Sequence, residues 1–291
     1  MTTIPHTEEL PVDNPSSGAF AATATSAAHG EAPILTVRGV SKVFRRGGRS
    51  VTALAGVDLQ AREGEFVVVI GPSGCGKSTL LHVLGGFETA SSGEVVVGGT
   101  VVREPGRDRG MVFQKATLFP WWTIERNVAW PLEVAGATRR QCRERAGELL
   151  DLVGLTGFAD AYPGELSGGM QQRAGIARTL ALEPNVLLMD EPFGALDAQT
   201  RELMQEELNR IWQQAGITVV FITHDINEAV FLGDRVLVMS GRPGSIIADV
   251  PIDLPRPRDN DVKGSQEFAG YHARLWSLLR DEAIAAEGVR K

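Results

Sequence analysis

Residues 66–84 constrain this chain more than any other stretch. The apolar run Phe66-Val67-Val68-Val69-Ile70 reads as a buried strand, and Leu80-Leu81-His82-Val83-Leu84 as part of the helix that follows. Between them lies Gly71-Pro72-Ser73-Gly74-Cys75-Gly76-Lys77-Ser78-Thr79. Two glycines at this spacing before Lys-Ser, set between strand and helix, are the context in which such a loop holds phosphate. The glycines let the backbone turn tightly, so that successive N–H groups converge on phosphate oxygens at the helix N-terminus. Lys77 adds a positive charge for the outer phosphates, and the Ser78 hydroxyl suits a Mg²⁺ ligand. The occupant this loop predicts is a nucleoside triphosphate.

With 291 residues and 43% hydrophobic content, the chain has room for one large domain or one domain with appendages. A net charge of −7 argues against a protein that grips nucleic acid through its phosphates. Cys75 and Cys142 are the two cysteines, and Cys75 lies inside the phosphate loop, so they read as reduced thiols. Cys75 serves there as a small residue whose backbone matters. No run approaches the length of a membrane span, and no signal peptide is expected at the start; a soluble chain would reach a membrane only through a partner.

Along the chain, residues 1–32 are rich in Ala, Thr, Ser, Pro and Glu and are expected to be a disordered tail. Ile34-Leu35-Thr36-Val37-Arg38 and Val51–Gln60 predict an antiparallel hairpin flanking the phosphate strand. Phe44, between them, is either an aromatic that stacks on a base or a strand side chain packed in the core. Gly110-Met111-Val112-Phe113-Gln114 is a short strand ending in an amide, and Leu118-Phe119-Pro120-Trp121-Trp122 is a dense apolar cluster behind it. Of its two tryptophans, one is expected to face a partner and the other the core. Thr138 and Gln141 form a capping box for a helix. Ser167 N-caps another, and Gly168 and Gly169 expose its first N–H groups, a second helix end ready for an anion.

Val186-Leu187-Leu188-Met189 is a buried-type strand that ends in Asp190-Glu191. Acids at the carboxyl end of a parallel strand sit where such sheets bind ligands. Asp190 is placed to hold Mg²⁺ through water and Glu191 to polarise an attacking water. Asp197 caps a helix with an apolar stripe. Ile217–Thr223 is a further strand, and His224 at its end is a candidate γ-phosphate sensor. Prolines 251, 255 and 257 mark a linker, followed by an amphipathic helix that docks either on this chain or on a partner.

Taken in order, Gly71–Ser78, Gln114, Ser167–Met170, Asp190-Glu191, Gly194-Ala195-Leu196-Asp197 and His224 resemble the nucleotide-binding subunit of an ABC transporter. The resemblance runs from about Ile34 to Asp249. It implies an α/β fold: a RecA-like P-loop NTPase core, an antiparallel β subdomain, and an α-helical subdomain carrying the ABC signature. Residues 33–250 would be that domain and residues 251–291 a Pro-rich linker with a C-terminal helix. It implies ATP and Mg²⁺ as cofactors, with residues 71–79 cradling phosphate and Phe44 stacking on adenine. Gln114 would reach the metal and the attacking water, with Ser78 and Asp190 also at the metal. Glu191 would be the base, His224 the switch histidine and Asp197 an inter-subunit acid. Ser167, Gly168, Gly169 and Met170 would act in trans, in a homodimer that sandwiches two ATP molecules. Met170 stands where Gln is more usual, and Phe44 where Tyr is; neither change removes a group the chemistry needs.

Pro105–Gln114, Phe119-Pro120-Trp121, Pro192–Asp197, Arg242-Pro243-Gly244 and Leu254–Asp259 look like the nitrate, sulfonate and taurine importer branch. That branch implies membrane permease subunits as partners, a substrate-binding protein indirectly, no nucleic acid, and a peripheral place on the cytoplasmic face of the membrane. Competing readings are an importer subunit for a different small solute, a soluble ABC ATPase acting on nucleic acid or ribosomes, and a P-loop kinase. The ribosomal class calls for a second cassette or a coiled-coil insertion, and a kinase has no use for the Ser167 signature.

Overall fold

The computed structural model describes residues 33–288, so the tail expected over residues 1–32 lies outside the described residues. Two sheets organise the chain. The larger has six strands in the order β10-β9-β3-β8-β7-β6, where β3 is Phe66–Ile70, β6 Arg109–Val112, β7 Val186–Asp190, β8 Thr218–Ile222, β9 Arg235–Met239 and β10 Ile246–Pro251. The first five by sequence run parallel, and β10 closes one edge antiparallel to β9. The smaller is antiparallel, ordered β2-β1-β4-β5, with β1 Pro33–Arg46, β2 Arg49–Arg62, β4 Ser92–Val97 and β5 Thr100–Val101.

Every residue of β3 is buried, as a parallel strand covered on both faces requires. Its alternating side chains divide the core in two. Phe66, Val68 and Ile70 face the helical side, and Phe66 packs against Trp212 and Phe221 at 5.6 and 5.8 Å between ring centroids. Val67 and Val69 face the antiparallel sheet and α1, Lys77–Leu84. The helical side is built from α2 (Ile124–Val134), α3 (Arg139–Leu152), α4 (Gly168–Leu180), α5 (Ala198–Ala215) and α6 (Ile226–Leu232). The Thr138–Gln141 capping box that opens α3 is present with both of its bonds.

The β1–β2 hairpin forms, but it does not flank the phosphate strand. It pairs on its outer side with β4 and lies in the separate sheet. Strand β1 is also one continuous element, running through Val40 to Phe44. Register shifts on either side of Val40 bend it, beside Gly39 at a φ of 56°. A glycine there absorbs the bulge that lets one strand curl over the sheet beneath.

The C-terminal helix α7, Gln266–Gly288, packs on the chain's own α6 and β9. Phe268 and Leu275 are buried in the same core as Ile252 and Leu254 of the preceding segment. Two arginines of that segment are structural ties. Arg256 bonds Asp234 and lies 4.2 Å over the ring of Trp212. Arg258, 5% exposed, donates to the carbonyls of Val230, Phe231 and Gly233 where α6 ends, and to those of Ile252 and Leu254. Carbonyls orphaned at a helix C-terminus thereby find a cation. Burial, with Arg256 alongside, pushes the Arg258 guanidinium down to about 10.

Candidate functional site

The phosphate loop leaves β3 and enters α1 through backbone shapes that its glycines permit. Gly74 has a φ of 73° and Gly76 of 116°, both in the left-handed half of the map. A side chain on Gly76 would press on the Ala53 carbonyl at 2.8 Å, so β2 backs the loop directly. From the other side comes Arg242-Pro243-Gly244. Gly244 exchanges backbone bonds of 2.9 Å with Ala53 and Ala55, and a Cβ on it would strike the Cys75 carbonyl. That is the physical reason for a glycine at 244. Cys75 is buried, and burial pushes its thiol up, consistent with a small backbone-bearing residue.

Lys77 is only 7% exposed, and its Nζ donates to the carbonyls of Gly71 and Pro72 at 2.8 and 3.1 Å. The ammonium thus lies curled within the loop itself. Ser78 lies in the first turn of α1, and its Oγ donates to Asp190 Oδ1 at 3.1 Å. Strand β7 therefore brings Asp190 to the phosphate loop, 112 residues along the chain. Burial first, then the neighbouring Glu191, raise the Asp190 carboxyl above its ordinary range.

Glu191 follows at a φ of 44°, uncommon for a residue with a Cβ, which costs about 1–3 kcal/mol. Its N–H donates to the Ile222 carbonyl and its own carbonyl accepts from Gly194, which hold that shape. His224 leaves the adjacent strand β8, and its Nδ1 lies 3.1 Å from Glu191 Oε2. A carboxylate only accepts, so Nδ1 carries the proton in this bond. The Gln114 amide lies over Gly194, where an added Cβ would sit 2.7 Å from its Nε2. Residues from β3, β6, β7 and β8 thus meet along one carboxyl edge of the sheet, where α/β sheets bind ligands.

A hydroxyl, a carboxylate and an amide at this edge form the oxygen-rich donor set that suits Mg²⁺ beside phosphates. Among the described residues there is no group of three or more His, Cys, Asp or Glu side chains that could hold a metal alone. A Mg²⁺ site completed by nucleotide phosphates needs only one or two protein carboxylates, so the residues present fit it.

The other predicted residues lie apart. Ser167 caps α4, accepting from the Met170 N–H at 3.3 Å. Ser167 and Gly168 are exposed, Gly169 packs against Thr200 and Met204, and Met170 is half-buried against the helical core. Asp197 caps α5 through Thr200, a bond that lowers its carboxyl below the usual range, and it is exposed. Phe44 is 39% exposed with Lys42 Nζ 4.9 Å from its ring centroid, so of the two readings left open the packed-core one fails.

Two residues that the sequence reading passed over hold the loop after Gln114. Asn127, fully buried in α2, accepts from the Phe119 N–H and donates to the carbonyls of Phe119, Trp122 and Thr123. Arg178, near the end of α4, donates to Ala116 and Thr117. Asn127 stands beside the exposed Arg126 in a helix of mixed burial, so its sequence neighbours gave no sign of its role. In the loop itself, Trp122 packs between Phe119 and Trp130 at 4.7 and 4.9 Å, while Trp121 is 67% exposed.

A family model described as ABC transporter matches residues 54–194. An uncharacterised ABC transporter ATP-binding protein of Methanocaldococcus jannaschii is 49% identical over 250 residues, 86% of this chain and 92% of that protein. A nitrate import ATP-binding protein of Synechocystis is 47% identical over 264 residues, 87% of this chain and 99% of that one. A taurine import ATP-binding protein of Rhizobium johnstonii is 51% identical over 239 residues, 80% and 91% of the two chains. Among solved structures, a dimeric post-hydrolysis ATP-binding cassette bound to ADP and Pi has a TM-score of 0.66 and 35% identity. It covers 76% of this chain and 100% of its own.

Proposed function

The chain belongs to the ABC transporter ATP-binding family and is an ATPase; from that premise we propose that it drives import of a small anion such as nitrate, taurine or another sulfonate. It does so as one half of a homodimer that closes on two ATP molecules. The observation that carries the reading is the split of the site. Lys77, Ser78, Asp190, Glu191 and His224 meet on one sheet edge. The exposed helix N-terminus at Ser167–Gly168 belongs to another layer of the same chain. A second copy arranged head to tail supplies the missing anion-binding end, through the Ser167 hydroxyl and the Gly168, Gly169 and Met170 amides.

Phe44 stacks on the base, and residues 71–79 wrap the phosphates, with Lys77 turning from its carbonyl partners to the outer ones. Ser78, Asp190 and Gln114 would hold Mg²⁺, which when bound neutralises charge on the phosphates. Glu191 takes a proton from the attacking water as that oxygen bonds the γ-phosphorus and the bond to ADP breaks. His224, bonded to Glu191, senses the γ-phosphate, and Asp197 lies at the junction between copies. No helix among the described residues is long and apolar enough to cross a membrane. The subunit sits on the cytoplasmic face through permease subunits and meets the substrate-binding protein only indirectly.

Glu191→Gln keeps the shape but cannot accept the proton. It should bind ATP, hydrolyse it slower by about 10²-fold or more, and accumulate as an ATP-dependent dimer in light scattering. A variant that stays monomeric at every ATP concentration would count against the sandwich. Reconstitution with the co-purified permease, assayed with nitrate- and taurine-loaded binding protein, tests the anion; stimulation by neither removes it.

A further inference from the structure

The backbone that presents His224 is held from beneath by buried polar side chains. The Asp225 N–H donates to Thr223 Oγ1 at 3.0 Å, and that hydroxyl donates to Glu228 Oε2 at 2.6 Å. Gln205 Nε2 donates to Glu228 Oε1 at 3.3 Å, and Lys263 Nζ donates to Gln205 Oε1 at 3.2 Å. The Asp225 N–H and the Lys263 ammonium can only give, so Thr223 Oγ1 and Gln205 Oε1 accept from them. That turns the Thr223 hydroxyl hydrogen and the Gln205 amide N–H toward Glu228. Thr223, Glu228 and Gln205 are all buried, with exposures of 2–4%. Lys263 belongs to the C-terminal segment, whose Arg258 grips the far end of the helix that carries Glu228. Arg201 lies 3.9 Å from both Asp225 and Glu228 and donates to the Leu196 carbonyl beside Asp197.

A core that needed only volume here would be served as well by apolar residues, since burying a carboxylate is costly. What a fully directed network adds is one conformation of the peptide on either side of His224. We propose that Thr223 and Glu228 are positioning residues that hold His224 against Glu191, and that the C-terminal segment completes their grip through Lys263 and Gln205. This rests on the reading of His224 as a group that acts at the γ-phosphate.

Thr223→Val keeps the volume and deletes the hydroxyl, so it is the variant to compare in the full-length chain. It should lower kcat for ATP about tenfold with KM within about twofold, and Thr223→Ser should restore kcat. In a His224→Ala background the same Thr223→Val change should cause no further loss, because it acts through the absent imidazole. Lys263→Met should lower kcat about threefold, with the melting temperature within a few degrees of the parent. Amide exchange over residues 224–227 should quicken at least tenfold or so in Thr223→Val, whatever the turnover. Additive losses in the His224→Ala background, failure of serine to rescue, or unchanged exchange would each overturn the proposal. If His224→Ala alone leaves turnover intact, the role of His224 fails; the exchange arm then decides whether the grip on its backbone stands.

Discussion

The two loops that leave the carboxyl ends of β3 and β6 are held in opposite ways. The first, residues 71–76, is fixed by its own backbone. Glycines at positive φ let it turn, and backbone from Ala53 and Gly244 presses on it from both sides. The second, from Phe113 to Thr123, has no glycine and is fixed by side chains that reach in from helices: Asn127 from α2 and Arg178 from α4. A backbone-locked loop presents N–H groups in one fixed array, which suits an invariant ligand such as phosphate. A side-chain-held loop can move with the helices that hold it. Arg178 lies on the same helix that Ser167 caps, so α4 ties the Ser167 end to the loop after Gln114.

The comparison breaks most sharply at the first loop. Lys77→Ala removes a charge from a site built around phosphate and should abolish turnover with the fold intact, as judged by ATP titration and circular dichroism. Gly76→Ala should do nearly the same by geometry alone. It places a Cβ at a φ of 116° and against the Ala53 carbonyl. Wild-type ATP binding in Gly76→Ala would show that the loop is not backbone-locked.

At the second loop, the largest effect should come from a residue that touches no nucleotide. Asn127→Ala strands the Phe119 N–H and three carbonyls and should destabilise the fold by about 2–3 kcal/mol. Denaturant unfolding measures it, and a loss below about 0.5 kcal/mol would show that the loop is held by its aromatic packing.

These loops also differ in how far they could be read beforehand. Everything local was legible: the glycine spacing, the Ser167 and Asp197 caps, the Thr138–Gln141 box, and the acids ending β7. Such features act within a few residues of themselves. What escaped depends on partners far along the chain. The hairpin reads as a neighbour of β3 because the β1–β4 pairing joins residues about as distant as Thr36 and Val96. Gly244 reads as a turn residue until Cys75 is seen against it. Arg258 reads as linker, although its carbonyl partners at 230–233 make it a cap for α6. Asn127 is the instructive exception, since its partners lie only four to eight residues away. A polar residue inside a helix carries no sign of burial until the neighbouring loop is placed.

The smallest effect should fall on Trp121, and it separates packing from docking. Trp122 is gripped by Phe119, by Trp130 and by Arg126, whose guanidinium carbon lies 4.7 Å from its ring. Trp122→Ala should therefore destabilise the isolated subunit by about 1–2 kcal/mol, since aromatic contacts and a half-buried ring are lost. Trp121 touches the same cluster only at its rim, 5.7 Å from Phe119 and 6.4 Å from Trp122 between centroids. Trp121→Ala should change stability by less than about 0.5 kcal/mol and leave ATP binding unaltered. An exposed tryptophan on a loop pinned by two helices has little to do for the fold, and interfaces draw their strongest anchors from such residues. The same substitution should weaken association with the permease and lower the fraction of hydrolysis coupled to transport. Measuring both variants in the isolated subunit and in the complex gives four numbers. A large melting loss for Trp121→Ala with normal assembly would make both tryptophans core, and the coupling surface would then lie elsewhere on the molecule.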